Sequence, residues 1–126
     1  MKKVVKLNES DLVVANLEGS VTNFESISNS EVPAKRFYFT FSEKVIPALQ
    51  KSNIDIVSLD NNHISNFGMN GVRQTIEKLD KYGMSGFGNP YDRKVTYKKI
   101  NGIKFVFVSY NQFINPDKDM AIKYIK

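Results

Sequence analysis

The chain has 126 residues, 41% of them hydrophobic and 25% charged, enough for one globular domain with a real core. No apolar run approaches the roughly 18 residues of a membrane span. Zero cysteines exclude disulfides and thiolate metal sites. The net charge of +5 sits in the last third, where residues 91–126 carry eight basic and three acidic side chains. Such a face attracts a polyanion, or it is simply a solvated hairpin and tail. No nucleic-acid-binding motif accompanies it, so no nucleic-acid partner is expected. Met1-Lys2-Lys3-Val4-Val5-Lys6 is basic but lacks the apolar stretch of a signal peptide, so the chain as written reads as cytoplasmic.

Residues 1–10 are polar and read as a poorly tied leader. Asp-Leu-Val-Val-Ala-Asn-Leu at 11–17 predicts a buried strand ending near Asn16, with Glu18-Gly19 directly after it. Residues 21–35, rich in Ser, Asn and Glu, predict a long surface loop. Phe37-Tyr38-Phe39-Thr40-Phe41 alternates and predicts an extended segment, its aromatics read as core ahead of a base-stacking platform. Residues 42–53 predict a helix with Val45, Ile46 and Leu49 on one face and Pro47 in its first regular turn.

Ile54, Ile56, Val57 and Leu59 form a β-branched apolar run that suits a parallel strand covered on both faces. Residues 70–82 predict a helix capped by Asn70, with Val72, Ile76 and Leu79 on one face and Gly83 at its end. Gly86-Phe87-Gly88-Asn89-Pro90 predicts a turn; its glycines are a weak match to a phosphate loop, since no helical pattern follows. Residues 94–100 and 103–110 flank Asn101-Gly102, a type I′ hairpin signal, and the second run is apolar enough for a central strand. Residues 116–126 predict the start of a helix through Met120, Ile122 and Ile125. There is no internal repeat and no domain boundary.

In open α/β sheets, ligands collect past the carboxyl ends of the strands. The run at 54–59 stops there at Asp60-Asn61-Asn62-His63, which holds the only histidine. An asparagine oxygen is a neutral, hard ligand suited to Mn, Mg, Ca or Fe, and a neighbouring histidine can give a proton to a leaving oxygen. Asn16 and Glu18, past another strand, can supply a further oxygen ligand or acceptor. The plainer reading stands beside this one. Asn61 and Asn62 are good turn formers, His63 is a polar loop residue, and Asp60 and Asp11 are strand-end residues facing solvent.

Asn16-Leu17-Glu18 after an apolar strand, Asn61-Asn62-His63 after Ile-Asp-Ile-Val-Ser-Leu, and Phe67-Gly68 before a helix with Thr75 and Leu79 resemble the CapA family of poly-gamma-glutamate capsule synthesis proteins. The glycines of 83–88 and the Asn101-Gly102 hairpin follow in the same order, so the resemblance covers residues 10–110. It implies kinship with calcineurin-like metallophosphoesterases. The expected fold is therefore α/β, part of their two-sheet sandwich, with parallel strands, flanking helices and a C-terminal β-hairpin. By the same resemblance, Asn62 matches the metal-binding asparagine and His63 the general-acid histidine. Asn16 and Glu18 match an Asn-x-Glu where the relatives place a bridging aspartate, with Asn61 and Asn66 in support. The implied cofactor is a divalent metal (Mn, Mg or Fe), and the implied substrate is a phosphate ester or an anionic polymer.

Two residues depart from the family pattern: Asp60 stands where Ala is expected, and Asn66 where Asp is expected. The pattern's initial Gly-Asp strand and its later histidines are not in this sequence, which predicts a single partial domain over 1–126. Exposed strand edges would then favour self-association. The resemblance places the family at the cell envelope, in a capsule-synthesis membrane complex. A non-catalytic accessory domain that binds a polyanion is the alternative to a hydrolase.

Overall fold

In a computed structural model, residues 7, 9–27, 31–33, 37–91, 95–111 and 122 are described. In chain order they form β1 (Val14–Asn16), β2 (Ser20–Val21), β3 (Thr40–Phe41), α1 (Val45–Lys51), β4 (Ile56–Ser58), α2 (Gly68–Lys81), β5 (Ser85–Phe87), β6 (Val95–Ile100) and β7 (Ile103–Val108). Three strands make a parallel sheet in the order β1-β4-β5, with Val14 opposite Ile56 and Ile56 opposite Ser85. β2 and β3 form a short parallel pair, and β6 and β7 an antiparallel one. The α/β arrangement with a C-terminal hairpin is the one expected. No helix among the described residues is long and apolar enough to cross a membrane.

The central position of β4 explains its composition. Ile56, Val57 and Leu59 are fully buried, and Val57 and Leu59 pack with Leu17, Val21, Ile46, Ile64, Val72, Leu79 and Met84. The ladder runs past the strand ends, where Leu17 N–H donates to Ser58 O (3.0 Å) and Leu59 N–H to Phe87 O (2.8 Å). β1 differs from expectation. Among the described residues it pairs with β4 alone, and Val14 is 42% exposed.

Both helices end in the same way and feed the next parallel strand. After α1, Asn53 adopts a left-handed φ of 57°, its N–H donates to Gln50 O and that of Ile54 to Leu49 O. After α2, Gly83 has φ 66°, with bonds from Gly83 N–H to Asp80 O and from Met84 N–H to Leu79 O. These are paired closures of the last helical turn around a left-handed residue. Gly83 thus ends α2 as expected, and Pro47 lies in the first turn of α1, where its missing N–H costs nothing. Asn70 is not the cap. The turn after β4 runs straight into α2, which starts at Gly68 with Phe67 as its flanking residue.

Two further expectations change. Gly86 and Phe87, read as part of a turn, lie in the strand β5. Gly86 sits where a Cβ would come within 3.0 Å of Leu79 Cδ1 and 3.4 Å of Leu59 Cδ1, so the close approach of α2 to the sheet selects glycine inside β5. Residues 103–108, read as a central strand, belong to a two-stranded ribbon. Asn101 and Gly102 both take positive φ, as the type I′ turn requires. The inner face of the ribbon touches the sheet through Phe107 on Phe87 (5.7 Å between ring centroids), while Ile103, Phe105 and Val106 are exposed.

The loop expected over 21–35 begins inside the core, since Ser20 and Val21 are buried in β2 and Thr22 Oγ1 lies 2.7 Å from Thr40 Oγ1. Residues 28–30 and 34–36 lie outside the described residues. So do most of the expected leader and, apart from Ile122, the helix expected over 116–126.

Candidate functional site at the carboxyl ends of β1 and β4

The polar cluster assembles because β1 and β4 are parallel neighbours, so their carboxyl ends lie side by side. Asn61 joins them. It is buried, and its Nδ2 donates to Leu17 O (2.8 Å) and to Asn16 Oδ1 (3.2 Å). Its Oδ1 accepts from His63 N–H (3.1 Å) and Ile64 N–H (2.9 Å). One amide therefore satisfies groups on both strand ends and sets the turn that carries His63. The turn-forming reading of Asn61 therefore holds, and the same amide ties the turn to the end of β1.

Asn16 and Glu18 come to the same spot. Asn16 Nδ2 donates to Glu18 Oε2, and Glu18 Oε1 lies 3.9 Å from His63 Nε2. Both oxygens of Glu18 thus face the cluster, and Asn16 holds the carboxylate in place. Asn62 is exposed. With His63, Asn66, Phe37, Tyr38 and Phe39 it lines a cavity of about 400 Å³. Asn66 Nδ2 donates to Phe37 O (3.0 Å) and lies 3.1 Å from His63 Nδ1.

The aromatic segment before β3 forms the second wall. The ring of Phe39 sits 4.7 Å from that of His63, and Tyr38 meets Phe67 edge-on at 6.3 Å. Phe37 is 68% exposed, and Phe37, Tyr38 and Phe39 border the cavity, so the core reading does not account for all of these aromatics. The alternation of residues 37–41 marks an extended segment but not what it packs against, so the contact to His63 was invisible in the sequence. Asp60 is half-buried rather than solvent-facing, and its Cβ lies 2.7 Å from where a Cβ on Gly88 would be.

Oxygen donors and an imidazole suit a hard divalent cation in kind. In number they fall short: among the described residues, no three of His, Asp and Glu come together to hold a metal. A two-metal centre needs bridging carboxylate that Asn16 cannot supply, because its amide oxygen is neutral and already accepts from Asn61.

The fold and site define a small parallel α/β unit with an Asn-x-Glu and an Asn-Asn-His brought together at adjacent strand ends. The sequence matches the family of bacterial capsule synthesis proteins, PGA_cap, over residues 2–125. The chain belongs to that family, and its architecture is consistent with part of a metallophosphoesterase-like sandwich. It is 23% identical over 106 residues to the PGA biosynthesis protein CapA of Bacillus subtilis (strain 168), covering 80% of this chain and 27% of that protein. It is also 23% identical over 108 residues to the capsule biosynthesis protein CapA of Bacillus anthracis, covering 82% of this chain and 26% of that protein. The chain thus spans about a quarter of the length of both relatives.

Proposed function

We propose that this chain supplies one side of a metallophosphoesterase-like hydrolytic site acting on a phosphate or related ester in capsule polymer synthesis at the cell envelope. The observation that carries the reading is the convergence of Glu18 and His63 to 3.9 Å across adjacent strand ends, beside a cavity edged by Asn62. His63 would address the leaving oxygen through Nε2, which faces the cluster while Nδ1 is engaged by Asn66. Asn62 and Glu18 are the oxygens that a divalent cation (Mn, Mg or Fe) would use, with its remaining ligands coming from outside this set. Asn16 orients Glu18, and Asn61 holds the whole turn. His63→Ala is expected to lower Mn²⁺-supported hydrolysis of an aryl phosphate by about 10² or more. Unchanged turnover in that variant would remove His63 from the mechanism.

A second reading, a non-catalytic contact to an anionic polymer, is favoured by one feature of the hairpin. Lys99 and Lys104 face each other across β6 and β7, and the Lys104 ammonium lies 5.3 Å from the exposed Tyr97 ring. Like charges directly opposite destabilise a ribbon unless an anion lies between or above them. Binding to polyglutamate that weakens steeply with added salt, and less so in Lys99→Gln/Lys104→Gln, is the expected signature. A salt-independent affinity argues against it.

A further inference from the structure

We propose that Asn66 is a positioning residue that holds His63 as the neutral tautomer protonated on Nε2, so that the ring offers a hydrogen-bond donor to the cavity. The assignment follows from one nitrogen. Asn66 Nδ2 lies 3.0 Å from the carbonyl oxygen of Phe37, which can only accept. The amide nitrogen, not its oxygen, must therefore occupy that place. The same nitrogen is 3.1 Å from His63 Nδ1, and an NH₂ group has one hydrogen for each neighbour. Nδ1 must present its lone pair, so the ring proton is on Nε2. Turning the amide over would set two oxygens against each other at Phe37, so the backbone of the aromatic segment enforces the choice.

The consequence concerns what the cavity accepts. Nε2, which lies 3.9 Å from Glu18 Oε1, then carries the hydrogen, with Asn62 on the cavity rim. A donor there meets an anionic oxygen, such as one of a phosphoryl group, and not a cation, which needs the lone pair. An aspartate at position 66 would do the opposite, accepting from a protonated Nδ1 and freeing the Nε2 lone pair. The inference deepens the hydrolytic reading by fixing the polarity of His63, yet it rests on hydrogen bonding alone and its test requires no turnover.

The test is long-range ¹H–¹⁵N correlation of the imidazole in the whole chain, where a single histidine removes any assignment problem. Spectra are taken at a pH well above the ordinary histidine value of about 6.5. Nδ1 is expected to be the unprotonated nitrogen in the wild type, with the Nε2–H form favoured by about tenfold, the factor one hydrogen bond supplies. Asn66→Asp is expected to invert that ratio, and Asn66→Ala to leave an intermediate mixture. A wild type already protonated on Nδ1, or an unchanged ratio in Asn66→Asp, overturns the proposal. The wild-type spectrum alone decides the first point even where a variant does not fold. Loss of hydrolysis with the tautomer as stated would sink the hydrolytic reading and leave this one standing.

Discussion

At the carboxyl end of the parallel sheet, one buried amide after β4 binds two groups at the end of β1 that lie 44 and 45 residues from it in sequence. In the hairpin, β6 and β7 are joined by a two-residue turn, and every cross-strand partner is near in sequence. The first region owes its order to tertiary contacts and is covered by α2 and the aromatic segment. The second owes its order to Asn101-Gly102 and is covered on one face only. A site that must hold a histidine and a carboxylate at fixed separation belongs in the first kind of region. A surface that meets a large or variable partner can be built on the second.

The contrast is sharpest in the core. Leu59→Ala removes a fully buried side chain between β4, β5 and α2, and an expected loss of about 2–5 kcal/mol should appear in urea unfolding. Val106→Ala, on the outer face of the hairpin, is expected to change stability by no more than about 0.5 kcal/mol. Similar losses in both variants would mean that the hairpin is packed as the core is.

Next in size is Asn61→Ala, which strips partners from the Leu17 carbonyl and the His63 and Ile64 N–H groups, with an expected cost of about 1–3 kcal/mol. Asn61→Asp refines it, since a carboxylate still accepts from both N–H groups but cannot donate to Leu17 O. If Asn61→Asp is as stable as the wild type, the tie between the two strand ends is not where the bond energy lies.

The smallest expected effect is an exposed ion pair away from both regions. Lys81 Nζ lies 3.2 Å from Glu43 Oε1, and this hydrogen bond holds the Glu43 carboxyl below its ordinary value of 4.5 while raising Lys81 above 10.5. The carboxylate's contribution is present above 4.5 and is lost as pH falls through the lower folded value. The ammonium's contribution is present below 10.5 and is lost as pH rises through the higher one. Glu43→Gln should therefore lower Tm slightly near neutrality and not at all in acid, by differential scanning calorimetry. An equal decrease at both pH values would refute the pairing.

What could be read from the sequence follows the same division. β4 was legible because a central parallel strand needs a continuous β-branched run, and the hairpin because Asn-Gly dictates its own geometry. β5 was hidden by Gly86, whose reason for being glycine is Leu79 on another element. β7 was misplaced because Phe105 and Phe107 alternate as they would in a covered strand, and alternation carries no record of what lies over each face. At the site, Asn16, Glu18, Asn61, Asn62 and His63 stood out as polar residues past apolar runs. The partners that orient them did not, since the Leu17 and Phe37 carbonyls are backbone atoms with no side-chain signature.

The left-handed residues that close the two helices have one more consequence, for changes of chain length. Asn53 stands just ahead of β4 and Gly83 just ahead of β5, so each helix end dictates which residue enters the sheet first. Inserting a single residue at either junction would turn every side chain of the following strand to the opposite face. At the Asn53 junction it would expel Val57 from its place and swing the Asn61 turn away from Glu18, and at the Gly83 junction it would expel Phe87. The two junctions act as fixed rulers, and the spacing of the strand-end chemistry is measured from them.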